Sequence, residues 1–291
     1  MAQSLIQKQL GEFFKYLKIV KKRSTPTIEH YRFYLGRFLN WAKIDDINKI
    51  NSQKIKAFKL WLGKQKNLAK KNLKSTTQNY HLIALRSFLK YLKQHGNQSL
   101  VTLSIKLSKV NHKAPEMIAT ADIEKILNSP ASTNKPEIIK LRDRAILEML
   151  FGSGLSVSEL VNLKIKDLDF KKAEINIIKS NLKSRLASLS NQTAFWLKKY
   201  LSERKDKDNF VFVSHDRALG GRELMPLTAR SVQRIVKYHS QKAGFSQRIT
   251  PHKFRYYFAA SLKKRGNDIK EIYERLGHNC LSTTKNYFGN S

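Results

Sequence analysis

The sequence predicts a mainly α protein with a small β-sheet: an all-α N-terminal domain followed by an α+β C-terminal domain. Three observations lead there. Apolar residues keep helical spacing through the first third of the chain, periodicity fails around Pro115, and beyond Asp167 the period changes from helix to strand. A length of 291 residues suits two domains, each able to bury a core.

Taken in order, four or five helices are expected before residue 108. Their stripes are Phe13, Phe14, Leu17 and Ile19; Tyr31, Leu35, Phe38 and Leu39; Ile55, Phe58, Trp61 and Leu62; Tyr80, Leu82, Leu85, Phe88 and Leu89. Residues 109–118 read as a basic linker and residues 119–291 as the second domain. There, Thr120 opens a helix containing Ile123, Ile126 and Leu127. A second helix runs from Pro136 to Phe151, ended by Gly152 and Gly154. Ser156-Val157-Ser158-Glu159 spells a capping box that starts a third. Ile175 and Ile177 on one side, Leu186 and Leu189 on the other, flank a polar turn over residues 179–185, which reads as a basic hairpin. Helices over 192–201 and 229–243 follow, joined by the strand-like segment 210–213 and a loop containing Gly220 and Gly221.

Charge narrows the partner. The chain carries 56 Lys and Arg against 22 Asp and Glu, a net +34, and the first 110 residues hold 23 of those cations against four acids. Such an excess predicts a polyanionic partner, and nucleic acid is favoured over a membrane because no apolar run of spanning length occurs. The opening MAQSLIQKQL has no apolar signal-peptide core, and the single Cys280 fits a reducing compartment, so a cytoplasmic location is expected. No Cys/His cluster has ligand spacing, which argues against a zinc site.

The last forty residues carry the chemistry. Thr250 and Pro251 form a helix start, placing His252, Arg255 and Ala259 on one face and Phe254, Tyr257, Phe258 and Ser261 on the other. A helix N-terminus beside a guanidinium suits a phosphate oxyanion. Asn267 or Asp268 caps the next helix, with Ile269, Ile272, Tyr273 and Leu276 as its stripe and Gly277 as its stop. His278 follows at once, and Ser282 is expected to cap a last helix bearing Tyr287. Two imidazoles, a guanidinium and a phenol are thereby candidates to converge on one phosphate.

These residues resemble the tyrosine recombinases, the phage-integrase and Xer group, over nearly the whole chain. His252 and Arg255 match the signature H-x-x-R, Leu276-Gly277-His278 matches L-G-H, and Tyr287 lies nine residues beyond that histidine. GSGLSVSELVNL is similar to the first family box, with Glu159 in its usual place. The resemblance implies a SAM-like core-binding domain in the N-terminal helices, a two-domain clamp around double-stranded DNA, and a tetramer on two duplexes. It further implies that Tyr287 attacks a phosphate to give a 3′-phosphotyrosine with no metal or other cofactor. Arg255, His252, His278 and a hairpin lysine would assist, Lys179 being preferred over Lys183. Lys183, Arg185 and Lys253 are then DNA-binding candidates. The sequence departs from the pattern at Ser156, where the family's G-L-R-x-S-E-L box has its first catalytic arginine. A weakened enzyme, or a DNA-binding relative with a regulatory or architectural role, are the two readings that follow.

Overall fold

The computed structural model describes residues 5–67, 69–96, 105–110, 117, 119–178, 184–215, 225–245 and 249–288. It divides the chain into two compact units, Met1–Asn111 and His112–Ser291.

The first unit holds α1 (Leu5–Ile19), α2 (Thr25–Ala42), α3 (Ser52–Lys64) and α4 (Ser75–Gln94). Pro26 sits in the first turn of α2, where its missing N–H costs nothing, and the Asn51 side chain caps α3 by accepting from Lys54 N at 2.8 Å. Phe13 packs on Phe88 and Phe38 on Phe58, at ring centroid distances of 5.3 and 5.0 Å, and all four belong to one core and are all but excluded from solvent. Two residues assigned to inner stripes lie outside: Ile19 is 71 % exposed and Tyr80 56 %. Each is two positions from a buried leucine, Leu17 and Leu82, and two steps of 100° carry a side chain to the opposite face. Beyond α4, Ile105 is buried, and Asn79 holds Ser108 with two backbone hydrogen bonds of 2.8 and 2.9 Å.

The second unit begins with α5 (Thr120–Asn128), α6 (Glu137–Gly152) and α7 (Val157–Val161). An antiparallel sheet follows, in the order β1 (Leu168–Asp169), β2 (Glu174–Ile178), β3 (Ser184–Ser188). Then come α8 (Asn191–Glu203), α9 (Ala229–Lys242), α10 (Pro251–Lys264), α11 (Ile269–Leu276) and α12 (Leu281–Phe288). The short strand β1 adds to the expected hairpin. Segment 210–213 is no strand, since Phe210 and Val213 make only isolated bridges to Lys164 and Pro226. In β3 the inward residues are Arg185 and Ala187, and Leu186 is 60 % exposed. Strand parity explains this: Leu186 and Leu189 are three apart and cannot share a face.

Helix α6 runs through the core and buries Leu141, Ala145, Ile146, Leu147, Met149 and Leu150. It also buries Asp143, whose Oδ2 accepts from Lys135 Nζ at 3.1 Å and His239 Nε2 at 3.0 Å. Its Oδ1 takes Arg142 Nε and Nη2 at 3.1 and 2.8 Å, while His239 Nδ1 meets Ser129 Oγ at 2.8 Å. Burial alone would raise the Asp143 carboxyl; His239, Arg142 and Lys135 overcome that and hold it below the usual range.

Past the end of α6, Gly154 adopts φ +62°, and a Cβ there would fall 2.2 Å from Phe258 Cδ1 of α10. Only glycine permits both the left-handed turn and the ring contact. Gly154→Ala therefore destabilises the unit by about 2–4 kcal/mol from backbone strain and overpacking together. The midpoint of urea unfolding checks it, and an unchanged midpoint contradicts the close approach.

Candidate active site

The site begins at a helix cap. Ser156 Oγ accepts from Glu159 N at 3.2 Å, and Glu159 Oε2 accepts from Ser156 N at 2.8 Å, closing the expected capping box. The same oxygen receives Arg185 Nη2 at 3.1 Å and Arg255 Nη1 at 3.3 Å. The Glu159, Arg185 and Arg255 side chains are only 9, 9 and 8 % exposed. Burial pushes the Glu159 carboxyl up, but Arg185, the Ser156 N–H and Arg255 outweigh it and hold it down, so it is ionised. Helix α10 brings Arg255 to this point because Thr250 Oγ1 caps it and Pro251 opens it.

Both guanidiniums also face the end of α11. Arg255 Nη2 donates to Leu276 O and Arg185 Nη1 to Arg275 O, each at 2.5 Å, and Arg255 Nη1 reaches back to Gly154 O at 2.7 Å. The last carbonyls of a helix lack internal donors and carry the negative end of its dipole, so cations belong there. Asp268 caps the start of α11 in a second capping box, and Gly277 closes it at φ +60°.

That turn delivers His278, whose Nδ1 lies 2.8 Å from the buried Thr284 Oγ1 of α12. Helix α12 starts at Leu281, so Ser282 lies inside it rather than capping it. Its hydroxyl meets Cys280 Sγ at 2.9 Å. Tyr287 stands in the second turn, 6 % exposed, with its hydroxyl 3.2 Å from His252 Nε2. The rings of His252, His278 and Tyr256 meet the Tyr287 ring edge-on at centroid distances of 5.4, 5.3 and 5.6 Å. Burial raises the Tyr287 phenol above its ordinary value, with Arg255 pulling the other way. His252 is lowered, first by burial and then by Arg255, and is a neutral acceptor at neutral pH.

The structure thus brings together Tyr287, His252, Arg255 and His278 from two helices, α10 and α12, and the turn after α11. Arg255 lies buried rather than facing outward with His252, since its face of α10 packs against the Gly154 turn and the end of α11. Lys253 is half-buried on α10. Lys179 and Lys183 lie outside the described residues. Arg185, expected at the hairpin tip, is in β3 opposite Ile177 and points with it toward the interior. Spacing reads Glu159 as a capping residue and Gly154 as a helix stop, and both fall in the stretch that resembles the first family box; their contacts with Arg185, Arg255 and Phe258 depend on which strand and helix end meet them. Among the described residues no cluster of three His, Cys, Asp or Glu is placed to hold a metal, and no helix is long and apolar enough to cross a membrane.

A phenol touching a neutral imidazole beside a guanidinium is equipped to attack an electrophile that carries negative oxygens. The imidazole value is testable alone. By NMR, His252 should titrate below 6.5 in the wild type and move upward in Arg255→Gln. Because burial and Arg255 hold its folded value below the unfolded one, neutral His252 leaves stability at its full value above pH 6.5, and stability is lost as pH falls through the folded value. A midpoint at or above 6.5 contradicts this environment.

Comparison with known proteins adds the relatives. Residues 116–291 match the phage integrase family, and residues 10–96 match the phage integrase N-terminal SAM-like domain. Tyrosine recombinase XerC of Leptospira interrogans serogroup Icterohaemorrhagiae serovar copenhageni is 32 % identical over 95 % of this chain and 86 % of its own. That of Herpetosiphon aurantiacus is 31 % identical over 97 % and 90 %. In fold, the chain is similar to the XerH site-specific recombinase solved on its difH substrate, with a TM-score of 0.71, 21 % identity, and coverage of 99 % and 82 %. It is likewise similar to the Tn1549 transposon integrase solved with transposon right-end DNA, with a TM-score of 0.73, 20 % identity, and coverage of 97 % and 95 %.

Proposed function

The chain belongs to the phage integrase family of tyrosine recombinases, and from that premise we propose that it cleaves and rejoins double-stranded DNA through Tyr287, acting as a tetramer on two duplexes. The observation that carries the reading is the Tyr287 hydroxyl 3.2 Å from His252 Nε2, with the Arg255 guanidinium in the same cluster. Tyr287 Oη attacks phosphorus while its proton passes to His252 Nε2. The phosphorus bond to the 5′-oxygen breaks, and that oxygen leaves as a hydroxyl with a proton from the hairpin lysine, Lys179 in our reading. A 3′-phosphotyrosine remains. Attack by a second strand's 5′-hydroxyl reverses the step, so phosphodiester bonds are conserved in number and no external energy source is consumed.

Negative charge grows on the nonbridging oxygens during attack, and in this reading Arg255 and His278 donate to them. Lys183 and Lys253, with the cations of the first unit, bind backbone phosphates without reading bases. At Ser156 the hydroxyl caps α7 and contributes no charge, and loss of one such donor costs roughly a hundredfold to a thousandfold in rate. The enzyme is accordingly slow beside relatives with arginine at that position. Ser156 also favours a second reading, a DNA-binding relative that organises a site without cutting it.

The two readings separate on covalent trapping. Incubation with a pool of nicked duplexes and denaturing electrophoresis should yield a protein–DNA adduct, absent in Tyr287→Phe while binding affinity is kept. Binding without any adduct selects the architectural role. Ser156→Arg should accelerate adduct formation, and no acceleration would undercut the role given to position 156.

A further inference from the structure

The charges gathered around Glu159 include one, on Arg185, that takes no part in the steps above. Glu159 is ionised and in contact with Arg255, so these two cancel. His252 is neutral at neutral pH. A phosphodiester entering beside Tyr287 is an anion, and it gains further negative charge as the phenol attacks. Without another cation, the described part of the site offers that anion donors but no net positive charge.

The other cation on the Glu159 carboxylate is Arg185. Its guanidinium shares Glu159 Oε2 with Arg255, at 3.1 and 3.3 Å, and the Arg255 charge lies close enough to act on it. They hold successive carbonyls, Arg275 O and Leu276 O, at one helix end. Two cations side by side in a buried place repel, and the arrangement persists because the carboxylate and the carbonyl dipoles stand against both. One net positive charge is left over. In addition, Arg185 Nε is buried and has no acceptor among the described residues, although Nη2 beside it is used. A buried donor left unmet is costly, and the Nε–Nη2 edge of a guanidinium is the one that binds an oxyanion in the forked manner.

We propose that Arg185 takes over, in part, the electrostatic work of the guanidinium absent at position 156, so that Arg185 and Arg255 form the cation pair facing the scissile phosphate. The arginine arrives from strand β3 rather than from the cap of α7. Register delivers it: Arg185 pairs with Ile177, whose side chain is in the core, and the hairpin parity sends both inward. This inference rests on the recombinase reading above.

The experiment uses the full chain in four forms: wild type, Arg185→Gln, Ser156→Arg, and the double variant. Single-turnover adduct formation on a nicked duplex is the readout, with DNA affinity and melting temperature recorded alongside. Arg185→Gln should slow adduct formation by about a hundredfold or more in the wild-type background and by less than about tenfold beside an arginine at position 156. Arg185→Lys, which keeps the charge and loses the fork, should fall between. A purely structural role predicts the same factor in both backgrounds, and that result, or no slowing at all, overturns the proposal. If Arg185→Gln does not fold, Arg185→Lys carries the same two-background comparison. A wild type that binds DNA and forms no adduct defeats the recombinase reading itself; an adduct whose rate responds to Arg185 equally in both backgrounds defeats only this inference.

Discussion

The carboxylate of Glu159 is the contact on which the arrangement of the second unit rests. One buried oxygen accepts from the start of α7, from strand β3 and from helix α10. The two guanidiniums so gathered bind the end of α11. Where α11 ends decides where Gly277 turns, where His278 lands and from which direction α12 returns. A buried anion with these partners is not a large source of net stability, because desolvation offsets most of the attraction. Its importance is positional: remove the anion and two like charges confront each other, with no reason for the helix end to stay between them.

The resting pair of phenol and imidazole is tuned toward inactivity. Burial raises Tyr287 and lowers His252, so the proton stays on the tyrosine. An anionic phosphodiester placed against His252 favours the imidazolium and improves the base at the moment a target is present. Arg255 acts in both directions, lowering His252 and easing the loss of the phenolic proton. Reaction is in this way coupled to occupancy by ordinary electrostatics, with no moving lid required.

Much of this was legible in the chain. The helical stripes, both glycine stops and the capping box at Ser156 follow from spacing, because each is a local consequence of helix geometry, whereas the grouping of His252, Arg255, His278 and Tyr287 is legible through the match to the H-x-x-R, L-G-H and tyrosine pattern. What escaped was set by distant partners. Arg185 reads as a basic residue in a polar turn until the pairing with Ile177 fixes its face; the odd separation of Leu186 and Leu189 was the available signal that one of them must point outward. Strand β1 is two residues long, too short to leave a period. Ile19 and Tyr80 are the reverse case, apolar residues adjacent to a buried stripe that face outward.

The polar knot on α6 has a bearing on how enzymes are recognised from constellations. Ser129, His239 and Asp143 are linked in the order hydroxyl, imidazole, carboxylate, at 2.8 and 3.0 Å. That is the wiring diagram of a hydrolase. Yet the histidine and aspartate are wholly enclosed, two further cations share the carboxylate, and the imidazole presents Nδ1 to the serine and Nε2 to the acid, the reverse of the usual proton route. A template search by distance would return it beside genuine esterases; solvent access and nitrogen identity reveal it as masonry.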